Sequence, residues 1–197
     1  EYEVAKEMVQ AAADAGADGV KFQLWEAHEL SVDRETIELL QQWKLNTGEL
    51  ERLAALAGEL GVDFFASVFD SKSIKQLIKL DAPIIKIASC DVTNLPLLRD
   101  AAQKDQPIIM STGMATMSEV ATAVETVQNE HNELCLLHCI SSYPVDIEDL
   151  NLRAIDTLRS AFNLPVGFSD HTKGIVAPLL AVTRGATILE KHFTLDK

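Results

Sequence analysis

The chain has 197 residues, of which 47% are hydrophobic and 24% are charged, a composition typical of a globular domain with a sizeable core rather than of a disordered chain. Its 30 acidic residues outnumber its 17 basic residues and give a formal net charge of −13, which disfavours nucleic-acid binding because that depends on clustered Lys and Arg. No apolar run reaches the roughly 18 residues of a membrane span, and the start Glu1-Tyr2-Glu3 is acidic, unlike a signal peptide. The three cysteines, Cys90, Cys135 and Cys139, suit neither a disulfide framework nor a zinc site with a second ligand pair. We therefore expect a cytoplasmic protein that binds neither nucleic acid nor a membrane.

Helical patterns alternate with short apolar runs along the chain. Amphipathic spacing predicts helices at Val4–Ala13, Arg34–Trp43, Thr47–Leu60, Ser71–Leu80, Leu95–Lys104, Met117–Asn129, Leu152–Ala161 and Ile175–Arg184. Apolar runs predict strands at Gly19–Gln23, Val62–Ser67, Ile84–Ser89, Pro107–Ser111, Leu134–Ile140, Val166–Ser169 and Thr187–Phe193. Thr47 is the expected N-cap of the third helix, without a full capping box because Leu50 rather than Glu lies three residues on. Gly61 is expected to end that helix.

The strands indicate an α/β fold with a parallel sheet covered on both faces, because they are apolar throughout and no hairpin signal joins them. An open doubly wound sheet usually carries a glycine-rich phosphate loop, and neither a GxGxxG nor a GxxxxGK motif occurs in the sequence. In a closed barrel the active site lies at the C-terminal ends of many strands, and polar residues gather at those positions here. They are Lys21, Gln23, Ser67, Lys86, Ser89, Ser111, Thr112, His138, Ser141, Ser169, Asp170, His171, Glu190, Lys191 and His192. The pattern therefore predicts a (β/α)8 TIM barrel.

Two lysines, Lys21 and Lys86, lie inside otherwise apolar strands, where an unpaired ammonium group is costly. For one such lysine, a structural explanation, either a core carboxylate partner or an outward orientation between sheet and helices, is as good as a functional one. Both lysines together with the hydroxyl groups of Ser89, Ser111 and Ser169 favour a phosphate or carboxylate bound at the barrel mouth.

Two histidines, His171 and His192, lie at the ends of successive predicted strands. Successive strand ends are close together in a barrel, so the two imidazoles could share one metal ion. A structural role, with each ring hydrogen-bonded, is the alternative that these residues leave open. His28 and His131 lie in polar segments and are expected to be exposed.

Other conspicuous residues have structural explanations. Cys139 lies beside His138 in an apolar strand and is expected in the core rather than as a nucleophile. The acidic stretch Asp146–Asp149 is expected to be a solvated loop, and Gly113 and Gly167 are expected at turns or close contacts.

Nine segments resemble the sialic acid synthase family, in the family's order and over almost the entire chain. They are Gly16–Gln23, Lys86–Ser89, Asn94–Leu98, Ser111–Ala115, Leu137–Cys139, Tyr143–Pro144, Asn151–Arg153, Gly167–Thr172 and Glu190–Thr194. A single motif of this kind has little specificity, whereas the ordered set is specific.

The resemblance implies a barrel enzyme that condenses phosphoenolpyruvate with an N-acylated amino sugar such as N-acetylmannosamine. The products would be a nonulosonic acid, which is a 2-keto sugar acid, and inorganic phosphate, with a divalent ion, Mn²⁺ or Mg²⁺, assisting. The matching motifs imply catalytic roles for Lys21, Lys86 and Asp91, and phosphoenolpyruvate binding by Lys21, Lys86, Ser89, Ser111 and Ser169. They imply sugar contacts for Gln23, Ser141 and Tyr143, and metal ligation by His171 and His192.

The sequence departs from the family pattern on the side of the sugar. Asp91 stands where Glu is common and has a reach one methylene shorter, and Ser141 stands at a position often filled by Asn. Ala66–Phe69 replaces a segment that usually resembles Ser-Thr-Pro-Phe, and the connection Leu24–Leu45 is shorter than in the sialic acid synthases. These changes leave the acceptor open among the precursors of sialic, legionaminic, pseudaminic and spore-coat sugars.

The residues also leave two other functions open: a metal-independent Schiff-base aldolase using Lys86, and a barrel without turnover that acts as a scaffold or regulator. Because a complete TIM barrel has about 250 residues, residues 1–197 are expected to be a truncated synthase domain without its first strand and last helix. By the resemblance, that strand carries a catalytic Glu, and the family's C-terminal antifreeze-like (SAF) domain is absent from this chain. The resemblance also implies a homodimer in which this domain covers the partner's site.

Overall fold

Strands and helices alternate along the chain in the computed structural model, which describes residues 2–130 and 133–196. The strands are β1 (Gly19–Leu24), β2 (Asp63–Val68), β3 (Ile85–Ile87), β4 (Ile108–Ser111), β5 (Leu134–Cys139), β6 (Val166–Asp170) and β7 (Leu189–Lys191). The helices are α1 (Tyr2–Asp14), α2 (Ala27–Leu30), α3 (Arg34–Trp43), α4 (Thr47–Glu59), α5 (Ser71–Lys79), α6 (Leu95–Ala102), α7 (Met117–Gln128), α8 (Ala154–Phe162) and α9 (Val176–Thr183). Short 3₁₀ turns at Ser89–Asp91 and Ile147–Asp149 follow β3 and β5.

The strands follow one another through the sheet in chain order, from β1 to β7. Strands β1 and β2 pair in parallel, as do the successive pairs from β4 to β7. Of the described residues, 2–86 and 194–196 form one compact unit, and 87–130 with 133–193 form a second. Parallel strands in chain order with helices between them confirm the α/β prediction.

Helices α1 and α4 pack together in the first unit. Val9 of α1 and Leu53 and Ala57 of α4 are completely buried, because apolar residues spaced by three or four positions form one face of each helix. Gly61 lies just after α4 with a backbone φ of +73°, so the helix ends there, as predicted.

The N-cap of α4 is Asn46 rather than the predicted Thr47. The Asn46 side chain accepts the backbone N–H of Glu49 at 3.0 Å, and the Glu49 carboxylate accepts the backbone N–H of Asn46 at 2.8 Å. The two hydrogen bonds form a full capping box, because Glu49 lies three residues after the N-cap Asn46. The predicted N-cap, Thr47, was therefore wrong by one residue.

In the second unit, β5 is buried along its whole length, and α7 and α8 pack against it. Cys139 belongs to this core, as predicted, and His138 is buried beside it. A side chain at Gly167 would collide with the Ile188 carbonyl and with Leu137, and one at Gly113 would collide with Cys139. Both glycines therefore lie at close contacts, as predicted.

Some predicted boundaries differ from the structure. Ser89 was expected in a strand but begins a 3₁₀ turn, and β7 ends at Lys191, so that His192 lies just beyond it. Helix α2 was not predicted, because four residues are too few to establish a helical period. Among the described residues, no helix combines the length and apolar character that crossing a membrane requires.

Candidate active site

In the first unit, polar side chains lie toward the C-terminal ends of β1 and β2. The Lys21 ammonium group donates to the hydroxyl of Ser67 at 3.2 Å, and Gln23 pairs with Ser67 in the sheet register. Ser67 is buried, whereas Gln23 is exposed. Lys86, on β3, is only 2% exposed. This contact of Lys21 is with a neutral hydroxyl rather than a carboxylate, and the anion-binding role of Lys21 stays a prediction.

In the second unit, Ser89 connects the ends of three strands. Its hydroxyl accepts the backbone N–H of Gly113, just after β4, at 3.0 Å, and lies 3.0 Å from the sulfur of Cys139, the last residue of β5. Ser111 and Thr112 are also buried at the end of β4. Ser89 and Ser111 therefore both lie at the strand ends where a barrel carries its site.

The ends of β6 and β7 are joined by two polar side-chain pairs. Ser169 pairs with Glu190 in the sheet, and its hydroxyl donates to the Glu190 carboxylate at 2.8 Å. Asp170 pairs with Lys191, whose ammonium group donates to the Asp170 carboxylate and to the Thr172 carbonyl. Because neighbouring residues of a strand point to opposite faces, the two pairs lie on opposite faces of the sheet.

Three rings, those of Tyr143, His171 and His192, lie together just beyond these strands. The imidazole centroids are 5.5 Å apart, and the Tyr143 ring is 4.1 Å from His171 and 5.8 Å from His192. Although the Tyr143 side chain as a whole is exposed, desolvation of its phenol raises the pKa, so the hydroxyl stays protonated at neutral pH. The predicted pair of histidines is therefore brought together, with a predicted sugar contact beside it.

The two histidines have donor chemistry that fits a divalent metal. Nδ1 of His171 lies 2.6 Å from the Ile140 carbonyl oxygen; because a carbonyl only accepts, this nitrogen carries the proton and leaves Nε2 available as a ligand. No group of three His, Cys, Asp or Glu side chains in residues 2–130 and 133–196 has an arrangement suited to a metal. His171 and His192 would thus supply two imidazole ligands, with the other positions of the metal left to oxygen ligands such as substrate or water.

Asp91 and Ser141, the remaining predicted site residues, have different settings. The Asp91 carboxylate accepts a hydrogen bond from the Asn94 amide at 3.1 Å and contacts the Cys90 thiol at 3.5 Å. Ser141 is exposed in the segment after β5. The catalytic role of Asp91 and the sugar-binding role of Ser141 stay predictions.

His138 has the structural role that its apolar strand predicts. Its Nε2 lies 2.8 Å from the Leu150 carbonyl, and burial lowers its pKa, so the ring is neutral at physiological pH. Residues Asp146–Asp149 and His28 are exposed, as predicted, and His131 lies outside the described residues.

Comparison with known proteins places this site in a family. A family model described as NeuB family matches residues 8–197. The chain belongs to the NeuB family. It is 42% identical to N,N'-diacetyllegionaminic acid synthase of Legionella pneumophila, covering 100% of this chain and 61% of that protein. It is 39% identical to N-acetylneuraminate-9-phosphate synthase of Drosophila melanogaster, covering 99% of this chain and 57% of that protein.

A solved structure has the same fold. The N-acetylneuraminic acid (sialic acid) synthetase of Leptospira borgpetersenii, in complex with citrate, superimposes with a TM-score of 0.95 at 40% identity, covering 99% of this chain and 69% of that one. The family and the incomplete (β/α)8 barrel predicted from the sequence are thus confirmed. The chain spans about three fifths of the length of the curated relatives that it matches.

Sequence reasoning about this NeuB-family chain did not assign roles to two residues of the site. Glu190 receives the Ser169 hydroxyl, and Lys191 forms an ion pair with Asp170, which is 1% exposed. The position of Glu190 and Lys191 at a strand end indicated that both could belong to the site. Their partners, Ser169 and Asp170, could not be predicted, because they depend on the register between β6 and β7, which the sequence does not specify.

Proposed function

We propose that the protein containing this chain condenses phosphoenolpyruvate with an N-acylated amino sugar, giving a nonulosonic acid and inorganic phosphate. The observation that carries the proposal is the adjacent pair His171 and His192, with Tyr143 beside both rings, at the ends of β6 and β7 in a NeuB-family chain. The names of the Legionella and Drosophila relatives support a synthase of this class of sugar acid.

The assignment of phosphoenolpyruvate follows from charge and hydroxyl chemistry. This substrate carries a phosphate and a carboxylate, which Lys21 and Lys86 would bind as cations. Ser89, Ser111 and Ser169 would donate or orient hydrogen bonds to the same anionic groups. Lys21 supports this role because its contact is a neutral hydroxyl rather than a carboxylate.

The proposed reaction forms one carbon–carbon bond and breaks one carbon–oxygen bond. C3 of the enol attacks the aldehyde carbon of the open-chain sugar, whose oxygen takes a proton, and C2 acquires cationic character. Water adds to C2, and the resulting tetrahedral carbon expels phosphate with the bridging oxygen while it becomes the ketone. Asp91 is the proposed acid/base or water-positioning group for these proton transfers.

His171 and His192 would hold the divalent ion, Mn²⁺ or Mg²⁺, which supplies Lewis-acid polarisation of the aldehyde. The Ile140 carbonyl supports this role by fixing the orientation and protonation of His171. Gln23, Ser141 and Tyr143 are the proposed contacts of the sugar. We further propose that the full-length protein is cytoplasmic and forms a homodimer. Its mass in sedimentation tests the dimer.

Phosphate release by the full-length protein tests the proposed activity. We expect release only when phosphoenolpyruvate, an N-acylated hexosamine and a divalent metal are all present, and loss of release in His171→Ala or with a chelator. With a heavy oxygen isotope at the bridging position of phosphoenolpyruvate, the label should leave in the phosphate. Metal-independent release, or borohydride trapping of pyruvate on Lys86, would contradict the proposal and favour the aldolase alternative.

A further inference from the structure

A cavity of about 330 Å³ lies between the C-terminal ends of β4 and β5 and the helices α7 and α8, entirely within the second unit. Pockets that bind small molecules have volumes of roughly 300–1,000 Å³, so this cavity is large enough for a small ligand. Its apolar wall consists of Ala115, Met117, Val120, Ile140, Ala154 and Leu158. Among the described residues that line it, none has a predicted catalytic, substrate-binding or metal-binding role.

The ring of His138 lines this cavity from the face of the sheet that the helices cover. On the other face, the sulfur of Cys139 lies 3.0 Å from the hydroxyl of Ser89, a predicted site residue. Neighbouring residues of a strand point to opposite faces, so His138 points away from Ser89. Its ring stacks on Phe168, its partner in the sheet register, and α7 and α8 pack on β5.

His138 presents an unused hydrogen-bond acceptor in this wall. Its Nε2 lies 2.8 Å from the Leu150 carbonyl oxygen; because a carbonyl only accepts, Nε2 carries the proton of the neutral ring and Nδ1 has none. No residue in the part of the chain that the structure describes donates to Nδ1, although His138 is only 6% exposed. Nor is Nδ1 sealed in the core, because the described side-chain nitrogen and oxygen atoms that are buried without a partner belong to Trp25 and Thr172. Nδ1 is therefore accessible from the cavity that its ring lines.

Arg153 provides the one formal charge among the described residues of the wall. It is exposed, and no described carboxylate pairs with its guanidinium group. Asp156, three residues further along, is paired with Arg159 and Arg184 instead. Asn151 adds a side-chain amide to the same wall. A wall with a cation and no acidic side chain attracts an anion even in a protein of net charge −13.

We propose that this cavity binds a small carboxylic acid that carries a hydroxyl group and an aliphatic chain. The carboxylate would accept hydrogen bonds from Arg153 and the Asn151 amide, and the hydroxyl would donate to Nδ1 of His138. The chain would pack on Val120 and Leu158. An acid without the hydroxyl would leave Nδ1 without a partner, and an uncharged ligand would forgo the charge-assisted hydrogen bond of the guanidinium group.

Methyl NMR titration of the full-length protein tests the proposal, with 2-hydroxy-4-methylpentanoate as the probe. We expect the methyl resonances of Val120 and Leu158 to shift saturably, while those of Leu53, which is completely buried in the first unit, stay in place. The matched acid 4-methylpentanoate, which lacks the hydroxyl, should bind about threefold to tenfold more weakly, the usual effect of one neutral hydrogen bond. The uncharged amide of the probe should bind at least about tenfold more weakly, because it loses the charge-assisted hydrogen bond.

A pair of variants tests the cation. Arg153→Gln should weaken binding of the probe at least about tenfold and abolish the preference for the acid over its amide. Arg34→Gln, the same change at an exposed arginine of α3 in the first unit, should bind the probe as the wild type does. The proposal is overturned if the Val120 and Leu158 resonances of the wild type show no saturable shift, or if the hydroxyl or the carboxylate of the probe does not change its affinity. Because binding is measured without turnover, the result is independent of the phosphate-release assay.

Discussion

At the scale of single residues, the close approach of β4 and β5 depends on the absence of a side chain at Gly113. An added Cβ would collide with the sulfur and carbonyl of Cys139, so Gly113→Ala is expected to lower the free energy of unfolding by about 1–3 kcal/mol. Gly58, in α4, is the matched control, because a Cβ there meets nothing within 4 Å. Gly58→Ala should raise stability by about 0.5–1 kcal/mol through helix propensity. Urea unfolding measures both, and equal effects would contradict the packing explanation.

The buried imidazole of His138 makes stability depend on pH. Burial lowers its pKa below the ordinary 6.5, so on acidification the unfolded chain takes up a proton that the folded protein resists. The contribution of the neutral ring is thus complete above about pH 6.5 and decreases as pH falls toward the lower pKa of the folded state. The control is His138→Gln, which keeps an N–H donor but does not titrate. Between about pH 7.5 and about pH 5.5, urea unfolding should show the wild type losing more free energy of unfolding than this variant. A difference that is independent of pH would refute this assignment.

At the scale of elements, the Asp170–Lys191 ion pair joins β6 and β7 one residue before His171 and His192. Asp170 is 1% exposed, whereas about a third of the Lys191 side chain is accessible. Lys191→Met leaves a buried carboxylate without its counterion, and we expect a loss of about 3 kcal/mol. Asp170→Asn should cost less, because the lysine that is left can reach water.

Urea unfolding measures the losses of stability in these two variants. A separate measurement, Mn²⁺ titration followed by electron paramagnetic resonance, tests whether the ion pair positions the two imidazoles. Lys191→Met should weaken Mn²⁺ binding, and Lys191→Arg should restore part of it. Lys173→Met, the same change at an exposed lysine two residues after His171, is the control. Equal effects of Lys173→Met and Lys191→Met would show that the pair has no special role.

The accuracy of sequence interpretation depended on whether a feature was local. Apolar strands and the polar residues at their ends were predictable, because burial on both faces of a parallel sheet selects continuous apolar runs. The partner of Ser169 was not, because the register that places Glu190 opposite it is set by packing between distant segments. The capping box at Asn46 was visible in principle: Asn followed three residues later by Glu49 is its signature.

At the scale of the whole molecule, the residues with proposed roles come from segments along almost the whole chain, from Lys21 on β1 to His192 just after β7. Strand order and family resemblance predicted this distribution, since a barrel takes its site residues from many strands. The chain's acidic net charge carries no such information, because a locally basic site can exist on an acidic protein.

Metal binding should therefore appear as a change in the stability of the folded protein. A ligand that binds only the folded state stabilises it by about 2.7 kcal/mol at a hundred times its Kd, so Mn²⁺ is expected to raise Tm in proportion to the logarithm of its concentration. His171→Ala and His192→Ala should each abolish the increase, and a chelator should reverse it in the wild type. His28→Ala, at an exposed histidine in α2, should respond to Mn²⁺ as the wild type does. Differential scanning calorimetry measures these shifts, and a wild-type Tm that does not respond to Mn²⁺ would contradict the proposed metal ligands.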